Sequence, residues 1–258
     1  MKKYFISSDI HSFYTLWKKE LKKKGFNERN PEHILIICGD LFDRGQETVK
    51  CLNFVCRLLK QDRAICIGGN HEDLLIELLK RRYPYNYDIS NGSVDTVYQL
   101  GQLCKKNKDE EVNYLSFEEL CIRVIKNKKL NLYLNTLKDY YETSNYIFVH
   151  GWIPCGTKEY GDDNYRYIHD WRNESFYWAK WVNGMEAYSK GVGELNKTIV
   201  CGHWHTSYGH YNLHYLGSGE FKKDSIFDTF KDEGIMALDA CSAYSHKVNV
   251  EMIEEDKL

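Results

Sequence analysis

The chain has 258 residues, 43% of them hydrophobic and 28% charged, with a net charge of −2. That composition suits one soluble domain with a sizeable core, or one domain carrying an insertion. It offers no basic surface of the kind that nucleic acid requires, so no nucleic-acid partner is expected. The opening MKKYFISSDIH holds too few apolar residues for a signal-peptide core, and no later run approaches a membrane span. A cytoplasmic location is therefore expected. The nine cysteines are odd in number and scattered through apolar segments, without the close pairs of a zinc knuckle. They read as reduced, mostly buried thiols.

Lys3–Ser7 reads as a strand, and Thr15–Lys24 as a lysine-rich helix stopped by Gly25. His33–Cys38 (HILIIC) is a continuous apolar strand. A helix over Glu47–Gln61, a strand over Ala64–Ile67 and a helix over Glu72–Arg82, ending before Pro84, follow it. Apolar strands separated by helices predict an α/β fold whose sheet is covered by helices. From residue 85 to 141 the pattern changes. Val94–Lys106, Phe117–Lys128 and Leu130–Asp139 have helical spacing with polar faces and contain no strand candidate, which predicts an inserted helical cap within a single 1–258 domain.

Strand signals resume at Tyr146–Val149 and Thr198–Cys201. Gly234–Leu238 and Lys247–Ile253 are expected as an antiparallel pair closing a second sheet. Between Gly151 and Asn196 lie Trp152, Tyr160, Tyr165, Tyr167, Trp171, Tyr177, Trp178 and Trp181, which fit either packing between layers or the wall of a substrate cleft. His210 and His214 are four apart, but SYGHYNLHYLGSG reads as loop or strand, so structural or surface roles are expected for them.

Each predicted strand ends in a polar cluster. The first gives Asp9-Ile10-His11, the second Gly39-Asp40 and Asp43-Arg44-Gly45, the third Gly69-Asn70-His71-Glu72. Tyr146–Val149 runs into His150-Gly151, and Thr198–Cys201 into Gly202-His203-Trp204-His205. Ligands of α/β sheets collect beyond the carboxyl ends of the strands, so these clusters converge if the strands are neighbours. Mixed carboxylate and imidazole donors suit manganese, iron or zinc. A carboxylate shared by two metals about 3.5–4 Å apart is the core of a two-metal site, and Asp40, set between glycine-flanked segments, is the natural bridge. Any one cluster occurs by chance in many proteins; five in this context do not.

Asp9-x-His11, GDLFDRG at Gly39–Gly45, GNHE at Gly69–Glu72, His150-Gly151 and GHWH at Gly202–His205 resemble the calcineurin-like metallophosphoesterase superfamily. The GDxxDRG and GNHE strings are similar to its phosphoprotein-phosphatase branch, which includes bacterial and phage serine/threonine phosphatases. Symmetrical dinucleoside tetraphosphatases share much of the same signature. The resemblance implies an α/β/β/α sandwich of two mixed sheets, and two divalent ions with manganese ahead of iron or zinc. By position it implies Asp9 and His11 on the first metal, Asp40 as the bridge, Asn70, His150 and His203 on the second, and His205 as a further ligand.

It further implies in-line attack by a metal-bridging hydroxide, with His71 protonating the leaving oxygen, Asp43 orienting His71, and Arg44 clamping phosphate oxygens. Asn70 would also face the substrate. Lys180 stands where relatives have a second phosphate-binding arginine, with Arg166 and Arg172 as rivals. The first motif departs from the family pattern, since Ser8 and Ser12 replace the usual glycines; a change confined to the turn is expected. The implied substrate is a phosphorylated protein in the first place, and a dinucleoside polyphosphate or other small phosphoester as the alternative. A non-catalytic scaffold of the same fold is the third reading, opposed by the intact ligand set.

Overall fold

The computed structural model describes residues 2–107, 109–156 and 165–255. Its strands are β1 (Lys2–Ser7), β2 (His33–Cys38), β3 (Ala64–Ile67), β4 (Tyr141–Glu142), β5 (Tyr146–Phe148), β6 (Thr198–Cys201), β7 (Phe230–Asp232), β8 (Ile235–Ala237) and β9 (Glu251–Glu255). Its α-helices are α1 (Tyr14–Lys23), α2 (Thr48–Leu59), α3 (Asn70–Arg81), α4 (Asn86–Asn91), α5 (Ser93–Gly101), α6 (Phe117–Val124), α7 (Lys128–Leu134), α8 (Gly184–Ser189) and α9 (Ser242–Ser245). One sheet has the order β3-β2-β1-β9, the other β4-β5-β6-β8-β7. In the first, β1, β2 and β3 are parallel and β9 is antiparallel. In the second, β5, β6 and β8 are parallel between two antiparallel edges.

Strand alternation explains the layering. Tyr4, Ile6, Ile34, Ile36 and Cys38 meet Phe148, Val200, Met236 and Leu238 in a core between the sheets. The alternate residues Phe5, Leu35 and Ile37 face a second core under α1, α2 and α3. Ile147, Ile199, Cys201, Ile235 and Ala237 face a third, on the far side of the second sheet. Strands buried on both faces are apolar throughout, which is why HILIIC reads as continuous rather than alternating. The result is the expected α/β/β/α sandwich of two mixed sheets.

α5, α6 and α7 fall where the periodicity predicts helices, with the short α4 ahead of them, and their apolar side chains pack into an existing core. Val97, Leu100, Leu120, Val124, Leu130 and Tyr133 join the cluster beneath α1–α3. α6 begins at Ser116, whose hydroxyl accepts from the Glu119 N–H, and α7 at Asn127, whose side chain accepts from Lys129 and Leu130.

Two expectations are corrected. The last strand does not pair with β8: Glu251–Glu255 crosses to the first sheet and lies antiparallel to β1, pairing Tyr4 with Ile253. The partner of β8 is the short β7, joined through Glu233 and Gly234; only three residues long and mostly exposed, it gave too little periodicity to be read. His210 lies on one turn of π-helix, Gly209–Leu213, not on loop or strand. Its Nε2 donates to the Asp228 carbonyl, while His214 at that turn's end pairs with Asp232. The aromatic segment divides between its two readings. Trp152 and Trp171 are fully buried in the outer core, Trp181 lines a cleft, and Tyr160 falls outside the described residues.

Candidate metal centre

The carboxyl ends of β1, β2, β3, β5 and β6 deliver their polar clusters to one cleft of about 250 Å³. Asp9, His11, Asp40, Arg44, Asn70, His71 and His203 line it. The turns are tight. Asp9, His11, Asp40, Asp43, Arg44 and His203 all have left-handed backbone, with φ between 47° and 72°. Such strain in non-glycine residues persists only where neighbours hold it, and it gathers at functional sites. At Gly39, with φ of 87°, a Cβ would run into the His150 ring, so only glycine lets the second and fourth clusters meet.

Asp40 is the hub. One group of donors within 4.8 Å of one another is His11, Asp40 and His71; another is Asp40, His150 and His203. Its Oδ1 lies 3.4 Å from His150 Nε2, and its Oδ2 lies 3.8 Å from His11 Nε2. The carboxylate therefore spans two adjacent donor sets, as a bridging ligand must. The imidazoles are prepared for metal. His11 Nδ1 donates to the Phe42 carbonyl at 2.9 Å and His150 Nδ1 to the Cys38 carbonyl at 2.8 Å, which leaves each Nε2 lone pair facing the cluster. Burial holds His11 and His203 well below the ordinary histidine range, and His150 below it too, so all three are neutral. His203 Nδ1 lies 2.9 Å from the Asn70 side-chain oxygen and His150 Nε2 lies 2.8 Å from the same atom, so both rings turn a nitrogen towards one point.

The carboxylates make the same case from the other side. Burial pushes Asp9 up to about 6, with the Asp40 charge adding to it, and burial also raises Asp40. Asp239, which the sequence reading did not single out, lines the same cleft and is pushed up to about 7 by burial and by Asp9. Buried acids crowded this closely call for positive charge. Asp9 is further held by Ser8, whose hydroxyl bonds its Oδ2 at 2.6 Å, and by the His203 N–H at 2.9 Å. Ser12, with φ of 61°, bonds the Thr48 hydroxyl at 2.8 Å. Both serines of the departing motif are thus buried and used.

Beside the cluster, His71 Nδ1 donates to Asp43 Oδ2 at 2.7 Å. Burial disfavours charge on His71, but the Asp40 charge and the Asp43 hydrogen bond outweigh it and push the imidazole up to about 9. Arg44 Nη2 lies 3.3 Å from His71 Nε2. With His71 protonated both atoms are donors, and they converge on the spot where an anionic oxygen can accept from both.

Two predicted residues lie apart. His205 lines the cleft, but among the described residues it belongs to neither donor group; its Nε2 pairs with Glu220 at 2.6 Å and its ring lies between Trp204 and Phe221. Lys180 points to Asp73, 2.7 Å away. Of its rivals, Arg172 is bound to Glu142 and Glu194, and Arg166 is exposed. Asn91 and Trp204 were missed as cleft residues; nothing in the local pattern marks Asn91, whereas Trp204 stands inside the GHWH string. The role of Glu72 was missed as well, although it stands inside a recognised string. Its carboxylate accepts from Asp40, Leu41 and Gly69 N–H groups and from the Tyr133 hydroxyl.

The sequence profile of the calcineurin-like phosphoesterases matches residues 2–235. The asymmetrical bis(5'-nucleosyl)-tetraphosphatase PrpE of Anoxybacillus flavithermus is 31% identical over 111 residues, 41% of this chain and 44% of that protein. The symmetrical bis(5'-nucleosyl)-tetraphosphatase of Buchnera aphidicola is 41% identical over 73 residues, 28% of this chain and 25% of its own length. Serine/threonine-protein phosphatase 1 of Salmonella typhimurium is 29% identical over 73 residues, 28% of this chain and 31% of that protein. The chain thus spans less than half the length of these curated relatives. Among solved structures, a cold-active protein-tyrosine phosphatase of a Shewanella species shares the fold, with a TM-score of 0.55, 15% identity, and coverage of 99% of this chain and 76% of that one.

Proposed function

This chain belongs to the calcineurin-like phosphoesterase family, and we propose that it is a phosphoric ester hydrolase that acts on nucleoside polyphosphates at a two-metal centre. The observation that carries the substrate class is the aromatic lining of the metal cleft: Trp181 and Trp204 stand beside the donor cluster. Asn91, at the end of α4, lines the same cleft, and Tyr87, one turn earlier on the same helix face, is 41% exposed. Half-buried flat rings that open onto a phosphate site suit stacking against a base. The tetraphosphatase names of the relatives agree with that reading.

Asp9 and His11 would hold one ion, Asn70, His150 and His203 the other, and Asp40 both. When bound, a pair of divalent ions, manganese first with iron or zinc as alternatives, supplies Lewis acidity that acidifies water and neutralises phosphoryl charge. Arg44 clamps the non-bridging oxygens through its planar fork. His71 delivers its Nε2 proton to the departing oxygen, and Asp43, bonded to Nδ1, sets the ring's orientation and supports its charge. A phosphoserine or phosphothreonine substrate is the second reading. A cleft of only about 250 Å³ takes one phosphoryl group and leaves a peptide lying across its mouth, and the Salmonella typhimurium relative bears a protein-phosphatase name.

Rates on diadenosine tetraphosphate and on a phosphoserine peptide, measured side by side with manganese-loaded protein, separate the two. Preference for the nucleotide is expected. Preference for the peptide would reverse the order, and no turnover of either, nor of an aryl phosphate, would overturn the hydrolase mechanism.

A further inference from the structure

Helix α5 enters the site from the inserted segment with a polar stripe. Ser93, Thr96 and Gln99 recur every third residue on one face. Ser93 Oγ donates to Asp43 Oδ2 at 2.7 Å, and Thr96 Oγ1 donates to Asp43 Oδ1 at 2.7 Å. The Thr96 oxygen also accepts from the Asp43 N–H at 3.1 Å. Gln99 continues the clamp: its Nε2 donates to the Gly45 carbonyl and its Oε1 accepts from the Thr48 N–H, both at 3.0 Å. Asp43, Ser93 and Thr96 are all fully buried.

The contact is close by construction. Gly92, which precedes the helix with φ of 87°, leaves so little room that a Cβ there would sit 2.5 Å from the Arg44 nitrogen. The Asp43 carboxylate thereby meets the positive end of α5, where an anion is favoured. The clamp is also needed. Asp43 and Arg44 are consecutive left-handed residues, at φ of 72° and 60°, and such a turn holds only if its surroundings determine it.

We propose that Ser93 and Thr96 are positioning residues for proton delivery to the leaving group, acting through Asp43 on His71. This rests on the reading of His71 as the general acid. Each carboxylate oxygen of Asp43 takes one hydroxyl donor, so the group cannot turn about its Cβ–Cγ bond, and the imidazole bonded to Oδ2 is fixed with it. A helix of the insertion is therefore part of the catalytic apparatus, and its effect falls on the step in which the leaving oxygen needs a proton.

The test uses the full manganese-loaded chain with two aryl phosphates. p-Nitrophenyl phosphate has a good leaving group that needs little protonation, and phenyl phosphate a poor one. Thr96→Val combined with Ser93→Ala should lower kcat on phenyl phosphate by about ten- to a hundredfold, part of the roughly 10²–10⁴-fold that acid–base catalysis supplies. The same protein should lose far less on p-nitrophenyl phosphate and retain its metal, and Thr96→Ser should restore the rate. If the double variant does not fold, the single variants are read on the same pair of substrates. Equal losses on both substrates, alongside a His71→Asn control that is selective for phenyl phosphate, would overturn the proposal and leave the acid assignment standing. A His71→Asn control with equal losses on both would overturn both.

Discussion

Tyr133→Phe isolates one hydrogen bond between the inserted helices and the metal centre. Tyr133 is carried on α7, and its hydroxyl donates to Glu72 Oε1 at 2.9 Å, with both side chains fully buried. Glu72 is the knot beneath the site. Its Oε2 accepts from Asp40 and Gly69 N–H groups at 3.0 and 2.8 Å, and its Oε1 accepts from Leu41 N–H at 2.9 Å. Those bonds join the turn that carries Asp40 to the turn that carries Asn70. Phenylalanine keeps the ring, including its edge contact with Phe42 at 5.3 Å between centroids, so the substitution opens no cavity. What is lost is one of two donors to a buried carboxylate oxygen. A hydrogen bond to a charged group contributes about 1.5–3 kcal/mol net. For a chain of this size that lowers the melting temperature by about 3–12 °C. Scanning calorimetry of metal-free protein at neutral pH measures it. An unchanged melting temperature would refute the idea that Glu72 depends on the insertion for its fourth donor.

Three further outcomes follow from the same geometry. His71→Asn should keep its metal while kcat on a poor-leaving-group ester falls by roughly 10²–10⁴-fold; metal analysis beside steady-state kinetics checks both halves. Gly92→Ala, strained by a φ of 87° and crowded against the Arg44 nitrogen, should destabilise by about 1 kcal/mol or more, read from the urea midpoint. Glu142 is held down to about 2, chiefly by its hydrogen bond with Arg172 and also by Lys197. A depressed carboxylate contributes stability above its ordinary value of 4.5 and loses it as pH falls towards 2. The stability gap between wild type and Glu142→Gln should thus be full at neutral pH and close in that acid window; a gap that widens there contradicts the pairing.

The candidate metal ligands were legible because each is fixed by local grammar: a strand, a glycine turn, then a donor. Asp9, His11, Asp40, Asn70, His150 and His203 lie close together beyond the strand ends. The apolar strands and most helices were legible for the same reason, since burial writes its own period. What could not be read depends on contacts distant in sequence. β9 carries the same alternation whichever sheet it joins, and only the crossover decides its partner. His205 sits at ligand spacing, yet Glu220, fifteen residues away, takes its Nε2. Lys180 was placed by analogy, and Asp73 on another helix claims it. Ser93 and Thr96 did leave a trace, a polar stripe at helical spacing, but polar stripes ordinarily face water. Only the fold shows this one turned inward onto Asp43.

Metal stoichiometry shows whether Asp40 joins two ions. Wild-type protein titrated with manganese should bind two equivalents per chain, and Asp40→Asn, which keeps the shape but removes the shared charge, should lose the pair together. Two tightly bound equivalents in the Asp40→Asn protein, or a single equivalent in the wild type, would contradict a centre built around that carboxylate.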